Sequence, residues 1–209
     1  MTICYNNFMA NFLIPQDRLK YARLYSSRDE FIKTLPKGIT FLEAGVLAGD
    51  FSAKVIEVCS PSKSILIDPY QSLDWNAAEY HESRWHGPEQ HFNFVKQRFS
   101  NITTVELFQG KYEDFALTNK DTFDFLYMDY DTSYTSIQHQ IEISKSRLSI
   151  DGILGFNDYN IYENDTNIGK KQGTVHAIND FLYKNSDWYV YAFALNDNLT
   201  SDIYLKKLT

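Results

Sequence analysis

An acid and two glycines follow the first strongly apolar run of the chain. After Ile39–Leu42, the residues Glu43, Gly45 and Gly49 give the pattern E-x-G-x-x-x-G. Glycines at this spacing suit a tight turn whose backbone comes close to a ligand. A second apolar run ends on Asp68, about 20 residues further on, where a carboxylate can accept hydrogen bonds from both hydroxyls of a ribose. This spacing predicts a site for a nucleoside-bearing cofactor.

Alternating strand and helix patterns must position these residues. A single helix is predicted from about Gln16 to Leu35, and strands alternate with helices from Ile39 onward. Two strands, Trp188–Leu195 and Asp202–Lys206, then follow each other without a helix. Short alternating connections predict a parallel sheet covered on both faces, and the final pair predicts an antiparallel hairpin on one edge. The expected fold is α/β: a doubly wound, Rossmann-like, mostly parallel seven-stranded sheet with a C-terminal antiparallel hairpin.

Composition limits the classes of partner. The 209 residues are 44% apolar and 22% charged, as in one globular domain. A net charge of −7 without a lysine or arginine stripe argues against nucleic acid as the main partner. We find no signal peptide, no bilayer-length apolar run and only two distant cysteines, Cys4 and Cys59, so a cytoplasmic protein without a membrane partner is expected. The aromatic N-terminal arm suits a homodimer.

Five motifs occur in a fixed order along the chain. They are LEAGVLAGDFS, LIDPY, LYMDYDTSYTS, DGILGFNDY and GTVHAINDFL. In this order, residues 38–208 resemble a class I S-adenosylmethionine-dependent methyltransferase, and more narrowly the small-molecule O-methyltransferases of the macrocin and catechol type. The resemblance implies methyl transfer to a hydroxyl of a small-molecule acceptor, with a sugar or polyol-like group favoured. It divides the chain into an N-terminal helical extension, 1–38, and a methyltransferase domain, 39–209.

The resemblance assigns eight residues to S-adenosylmethionine. They are Glu43, Gly45, Gly49, Ser52, Asp68, Gln109, Gly110 and Tyr112. Glu43, Gly45 and Gly49 match the loop that touches the amino-acid portion of the cofactor, and Asp68, which ends the second strand, matches the ribose ligand. The last three lie in the segment beside the adenine. From the residues alone, Asp68 has a second interpretation as a helix N-cap.

Metal chemistry is implied by the same resemblance. In the resembling enzymes an acid after the fourth strand and an oxygen-bearing pair after the fifth hold one divalent cation, and here these positions are Asp129, Asn157 and Asp158. Such oxygen ligands suit Mg²⁺, which orients substrate hydroxyls and lowers their pKa. Asp131 matches the position of a general base. This chain departs from the family pattern, because Thr132 follows that acid and an Asn–Asp pair carries less charge than two acids.

Some assignments keep a second interpretation from local structure. Asp131 can cap the helix predicted to begin near Ser133, and Asn157 and Asp158 are common turn residues. Two other functions also remain open. One is an S-adenosylmethionine-binding protein without catalysis. The other is a nicotinamide-dependent oxidoreductase, against which the final hairpin and the lack of G-x-G-x-x-G argue.

Three segments border the predicted carboxyl edge of the sheet. They are the N-terminal extension, an aromatic insertion at Trp75–Gly87 and a polar loop at Asp158–Gly173. Because loops at this edge usually carry function, we expect them to select the substrate.

Overall fold

A central sheet with helices on both faces forms the computed structural model, which describes residues 13–71, 88–159, 173–196 and 200–208. Its strands are β1 (Arg23–Tyr25), β2 (Thr40–Ala44), β3 (Lys63–Asp68), β4 (Val105–Gln109), β5 (Phe123–Met128), β6 (Leu148–Phe156), β7 (Trp188–Leu195) and β8 (Ser201–Lys207). Its α-helices are α1 (Arg28–Ile32), α2 (Asp50–Cys59), α3 (Pro88–Arg98), α4 (Tyr112–Thr118), α5 (Tyr134–Lys145) and α6 (Thr174–Lys184). A short 3-10 helix, Gln16–Leu19, precedes β1.

The strand order places the candidate site residues at one edge. The order is β1-β7-β8-β6-β5-β2-β3-β4, and among these strands β8 alone runs antiparallel to its neighbours. The chain leaves β2 in one direction toward β3 and β4 and later returns to β5 on the other side. Ligands of doubly wound sheets bind where the strand order reverses in this way. The carboxyl ends of β2, β3, β5 and β6 therefore meet at one edge, and the predicted α/β fold is confirmed.

Residues that alternate along the central strands form two separate hydrophobic cores. In β2, Leu42 and Ala44 face one side of the sheet and Phe41 faces the other. The first side packs against α4, α5 and α6, and the second packs against α1, α2 and α3. Because helices cover both faces, these strands carry apolar residues at nearly every position.

The N-terminal segment differs from its prediction as one helix over residues 16–35. The structure instead has the 3-10 helix, then β1, and then α1, which begins after Ser27. The Ser27 hydroxyl accepts a hydrogen bond from the Glu30 N–H at 3.2 Å and so caps a new helix. Residues of β1 pair in parallel with β7 at Leu24 and Phe193. Pairing with a free sheet edge outweighs helix propensity here, because it satisfies the backbone groups of both strands.

The C-terminal pair also differs from its prediction in position. β7 and β8 are antiparallel, as predicted, but β8 lies inside the sheet between β6 and β7 instead of at its edge. Within the described residues the sheet consequently has eight strands instead of the predicted seven, with β1 at the edge beyond β7. Residues 1–12, the predicted Trp75–Gly87 insertion and most of the predicted Asp158–Gly173 loop lie outside the described residues.

Candidate functional site

The turn between β2 and α2 requires glycine at two positions. Gly45 has φ +92°, and a Cβ there would lie 1.9 Å from the backbone oxygen of Asp129. Gly49 has φ +76°, and its Cβ would lie 2.7 Å from the ring of Phe99. Both conformations disfavour other residues even without these contacts. The backbone of the turn therefore lies directly against the end of β5, as expected for a loop that approaches a ligand.

Asp68 ties this turn to the end of β3. Its Oδ2 accepts hydrogen bonds from the backbone N–H groups of Val46 at 2.9 Å and Leu47 at 3.1 Å, and its Oδ1 accepts one from Tyr70 at 2.6 Å. A carboxylate can accept about four hydrogen bonds, so Oδ1 can accept one more from a ribose hydroxyl. The structure thus gives Asp68 a scaffolding role that the sequence did not predict, and its ribose contact stays a prediction.

Glu43 is a buried acid beneath the turn. Its side chain is 1% exposed and accepts a hydrogen bond from the hydroxyl of Ser52 on α2. Burial raises the pKa of Glu43 well above its usual range, the bond from Ser52 lowers it, and the nearby charge of Asp129 raises it further. Glu43 and Ser52 therefore fix the start of α2 against β2, in the region assigned to the amino-acid portion of the cofactor.

The segment assigned to the adenine follows β4. Gln109 is exposed at the end of the strand, and the N–H of Gly110 donates to the backbone oxygen of Asp68 at 3.1 Å. Tyr112 is only 2% exposed, and its hydroxyl is 3.1 Å from the hydroxyl of Ser144. Burial raises the pKa of Tyr112 to about 12. Gln109 and Gly110 are thus next to the Asp68 strand end, whereas the ring of Tyr112 belongs to the core.

The predicted metal ligands meet at the ends of β5 and β6. The amide nitrogen of Asn157 donates to Oδ1 of Asp129 at 2.7 Å. The oxygen of the same amide accepts a hydrogen bond from Nη2 of Arg28, also at 2.7 Å. Asp158 follows directly, with φ +53°. The structure therefore places the three residues next to one another, beside an arginine that the sequence did not predict.

Arg28 reaches this edge from α1 and is held there by Asp202 of β8. Nε of Arg28 donates to Oδ2 of Asp202 at 2.7 Å, and Nη2 donates to Oδ1 at 2.9 Å. Asp202 is fully buried and also accepts from the hydroxyls of Tyr127 at 3.0 Å and Tyr204 at 2.8 Å, and from Asn196 at 2.9 Å. Such a fork of paired donors fixes both the distance and the orientation of the guanidinium.

Sequence reasoning missed this ion pair, although one signal was available. Asp202 stands in a β-pattern beside the apolar residues Ile203–Leu205, and an acid in such a run is rarely buried without a partner. That pattern indicates that a cation must lie nearby. It does not identify Arg28, which is 174 residues away in sequence.

The electrostatics of this edge are dominated by burial and by Arg28. Burial raises the pKa of Asp129 to about 7, although the charge of Arg28 and the hydrogen bond from Asn157 lower it in part. Burial also raises the pKa of Asp158, and repulsion from the charge of Asp202 raises it further. These carboxyl groups therefore hold their protons more tightly than exposed acids do.

The predicted general base, Asp131, lies outside this network. Its side chain is exposed, and its Oδ1 accepts a hydrogen bond from the N–H of Ser133 at 2.9 Å, at the start of α5. Its backbone oxygen accepts from Gln140 at 2.8 Å. The N-cap of α5 is thus Ser133 and not Asp131, which instead forms a local turn with it, and the base role stays a prediction.

As placed, these oxygens do not form a cation site. The oxygen of Asn157 already accepts from a guanidinium, and its nitrogen, not its oxygen, faces Asp129. Within the described ranges, no group of three or more His, Cys, Asp or Glu side chains is arranged to hold a metal ion. Mg²⁺ needs oxygen ligands in near-octahedral geometry, and the donor set observed here does not fit that requirement.

Doubly wound sheets with a glycine turn after the first long strand and an acid after the next bind nucleoside cofactors. Residues 42–159 match the sequence model of the methyltransferase domain family, which is more than half of the chain. The chain therefore belongs to the methyltransferase domain family, and the predicted resemblance is confirmed at this level. No curated protein matches the sequence significantly.

Solved structures show the same fold at low sequence identity. The O-methyltransferase TomG from Streptomyces achromogenes, which is involved in tomaymycin synthesis and was solved with S-adenosylmethionine, has a TM-score of 0.61 at 12% identity over 82% of this chain and 74% of that one. The O-methyltransferase from Bacillus cereus, in complex with S-adenosylhomocysteine, has a TM-score of 0.61 at 14% identity over 91% and 84%. An rRNA methylase from Streptococcus thermophilus has a TM-score of 0.58 at 15% identity over 87% of this chain and 94% of that one. These similarities establish the fold alone.

In the part of the chain that the structure describes, none of the helices combines the length and apolar character that crossing a membrane requires.

Proposed function

We propose that this protein transfers a methyl group from S-adenosylmethionine to a hydroxyl oxygen of a small molecule, with a sugar or polyol-like acceptor favoured. One observation carries the proposal. The cofactor turn and the acidic acceptor edge touch each other, since the N–H of Asp129 donates to the backbone oxygen of Ala44 at 2.7 Å and Gly45 lies against the backbone of Asp129. A methyl donor above the turn would therefore be next to a hydroxyl bound at the ends of β5 and β6.

The chemistry needs alignment more than covalent help from the protein. The acceptor oxygen forms a bond to the methyl carbon while the carbon–sulfur bond breaks, the electron pair stays on sulfur, and the hydroxyl proton leaves to a base or to water. Alignment of the two reactants and removal of that proton are the contributions a protein can make. Gly45, Gly49 and Asp68 would position the donor, and Asp131 is the candidate base.

The sugar or polyol preference rests on the family resemblance, and charge argues against RNA as the acceptor. The net charge of −7 disfavours a polyanionic substrate, because RNA binding depends on phosphate neutralisation. Structural neighbours nevertheless include RNA methylases as well as O-methyltransferases. RNA is therefore an outcome that the test must distinguish. The cytoplasmic location and the homodimer remain predictions from the sequence.

Cofactor binding is tested first, by calorimetry with S-adenosylhomocysteine and with NADH. We expect heat for S-adenosylhomocysteine only, together with a higher melting temperature, because a ligand that binds the native state stabilises it. A larger effect of NADH would contradict the proposal and favour the oxidoreductase.

Methyl transfer is tested next, with radiolabelled S-adenosylmethionine, a panel of sugars, polyols and catechols, and a matched panel of tRNA and rRNA. Label in a small hydroxyl compound supports the proposal, and label only in RNA contradicts the acceptor class. Binding without transfer to either panel would favour the non-catalytic alternative.

Substitution of Asp129 tests acceptor binding separately from cofactor binding. We expect Asp129→Ala to abolish transfer while the affinity for S-adenosylhomocysteine falls much less, because its side chain lies at the acceptor edge. Asp151→Ala, which removes an exposed acid of β6, is the matched control and should retain activity. Full transfer by Asp129→Ala would refute the placement of the acceptor.

A further inference from the structure

We propose that Arg28 supplies the positive charge of the acceptor site, in the place that the sequence assigned to Mg²⁺, and that the protein works without a divalent cation. This inference rests on the proposed function and concerns the same edge of the sheet. Four features of Arg28 support it: its hydrogen bond to Asn157, the contacts that fix its guanidinium, the N–H groups it has left for a ligand, and its positive charge.

First, Arg28 occupies the oxygen that a cation would need. Of the three predicted ligands, Asn157 contacts both Arg28 and Asp129, and its Oδ1 accepts from Nη2 of Arg28 at 2.7 Å. The amide is thereby oriented so that its NH₂ group donates to Asp129. A cation bound between Asp129 and Asn157 would require the amide to turn over and both hydrogen bonds to break.

Second, the guanidinium is held on several sides. The fully buried Asp202 accepts two of its N–H groups. The rings of Phe51 and Tyr127 lie near its Cζ, with centroids at 5.1 Å and 5.4 Å. Moving Arg28 away to admit a metal would leave the Asp202 carboxylate buried without its cation, which is strongly unfavourable.

Third, Arg28 keeps donors for a ligand. Nη1 has no hydrogen-bond partner among the residues that the structure describes, while Nε and Nη2 are both used. The side chain is 24% exposed, so one part of it remains accessible from outside. The two N–H groups of Nη1 are therefore the ones that can reach an acceptor oxygen.

Fourth, a guanidinium performs the main electrostatic task of the metal. A positive charge beside the acceptor hydroxyl stabilises the negative charge that develops on oxygen during transfer. Arginine stays charged at any working pH and donates in a fixed planar fork. It needs no metal loading, and its position is set by the Asp202 pair instead of by a coordination shell.

The inference is tested by electron paramagnetic resonance of Mn²⁺, a probe for Mg²⁺ sites, on protein saturated with S-adenosylhomocysteine. We expect the wild type to leave the signal of free Mn²⁺ unchanged. Calorimetry on the same sample establishes whether S-adenosylhomocysteine binds. Failure of the proposed function would appear there as no binding, whereas failure of this inference would appear only in the Mn²⁺ titration.

Variants sharpen the result. Arg28→Ala should bind Mn²⁺ more tightly than wild type by roughly tenfold or more. The substitution removes a positive charge from near the carboxylates of Asp129 and Asp158, and it frees the amide oxygen of Asn157. Should this variant fold poorly, Arg28→Ala combined with Asp202→Asn removes the buried charge as well. Arg18→Ala, which removes another arginine of the N-terminal segment, is the control and should behave as wild type.

Two results of the Mn²⁺ titration would overturn the inference. One is stoichiometric Mn²⁺ binding by the wild type that disappears in Asp129→Ala. The other is absence of Mn²⁺ binding in every Arg28 variant, which would show that the arginine does not stand in for a cation. On any acceptor found in the hydroxyl panel, turnover that excess EDTA leaves unchanged supports the inference, and loss restored by Mg²⁺ contradicts it.

Discussion

The carboxyl edge of the sheet has two parts that are built in different ways. We call the ends of β2 and β3, with Asp68, the cofactor edge, and the ends of β5 and β6, with Arg28 beside them, the acceptor edge, after the roles proposed above. At the cofactor edge, Asp68 bonds to backbone groups 22, 21 and 2 residues away in sequence. At the acceptor edge, Arg28 bonds to side chains 129 and 174 residues away. The first edge is a local strand–turn–helix unit stabilised by backbone geometry. The second exists only after both ends of the chain have joined the sheet.

This difference has consequences for stability and for function. The cofactor edge depends on conformations that few residues can adopt, so substitutions there act through strain. The acceptor edge depends on a buried ion pair, so substitutions there act through uncompensated charge. Variants of each edge should therefore fail in distinguishable ways.

The largest effect is expected at the acceptor edge. Asp202→Ala removes the partner of Arg28 and the acceptor of two tyrosine hydroxyls, and should lower the free energy of unfolding by about 3 to 5 kcal/mol. Urea unfolding measures this loss of stability. Asp187→Ala breaks the exposed pair with Lys207 and should cost less than about 1 kcal/mol. Similar losses for the two variants would show that the buried pair is not what holds this edge.

Gly45→Ala tests the cofactor edge. We expect a loss above about 3 kcal/mol and weak binding of S-adenosylhomocysteine, because strain at positive φ is added to a backbone clash with Asp129. Gly38→Ala is the matched control, since Gly38 has φ +74° but nothing within 4 Å of the added Cβ, and it should cost roughly 1 to 2 kcal/mol. Equal losses at the two glycines would mean that the close approach to β5 is unimportant.

A smaller effect is expected from Asp68→Asn. The amide keeps one acceptor oxygen, so some of the three backbone hydrogen bonds are lost, with a cost of about 1 to 3 kcal/mol. Affinity for S-adenosylhomocysteine should fall, because the turn loosens and an acceptor for the ribose is lost. Calorimetry distinguishes Asp68→Asn from Asp202→Ala, because the folded Asp202→Ala protein should retain its affinity for S-adenosylhomocysteine. Unchanged affinity in Asp68→Asn would remove Asp68 from the cofactor site.

The smallest effect is a pH dependence remote from both edges. Burial raises the pKa of Asp124, but hydrogen bonds from Ser149 and Thr40 outweigh it, and the pKa of Asp124 is lowered overall. A carboxyl with a lowered folded pKa contributes stability above its unfolded pKa and loses it as the pH falls through the folded pKa. Because the group is partly exposed, the contribution should stay below about 1 kcal/mol. Urea unfolding of Asp124→Asn should show a flatter acid limb than wild type, and an identical limb would contradict this.

Hydrophobic patterning predicted the central elements well and failed where pairing partners are distant. Trp188–Leu195 is a strand with the predicted bounds. Residues 23–25 were placed in a helix because their local sequence allows one, but the exposed edge of β7 recruits them as a strand. The position of β8 inside the sheet likewise depends on its pairing with β6, which periodicity does not encode.

The residues of the candidate site also differ in whether a local sequence signal predicts them. Glu43, Gly45, Gly49 and Asp68 were predicted as cofactor-binding residues because turns and strand ends have local sequence signals. Asp129, Asn157 and Asp158 were assigned through the family resemblance, and the structure places them at the ends of β5 and β6, which lie at one carboxyl edge because the two strands are parallel. Their partner Arg28 was not predicted, because no local pattern links an arginine after a serine cap to an acid near the end of the chain.

The ordered motifs of the sequence carried the resemblance that identified the family. The sequence by itself also determined the order of strands and helices from β2 onward, the glycine turn and the acids at the strand ends. Short-range sterics and hydrophobic periodicity suffice for these features, since each depends on residues within a turn or a strand of one another. Only the tertiary structure decided which cation lies at the acceptor edge. Burial of Asp202 in β8 demands a positive partner, and the folded sheet delivers Arg28 from α1.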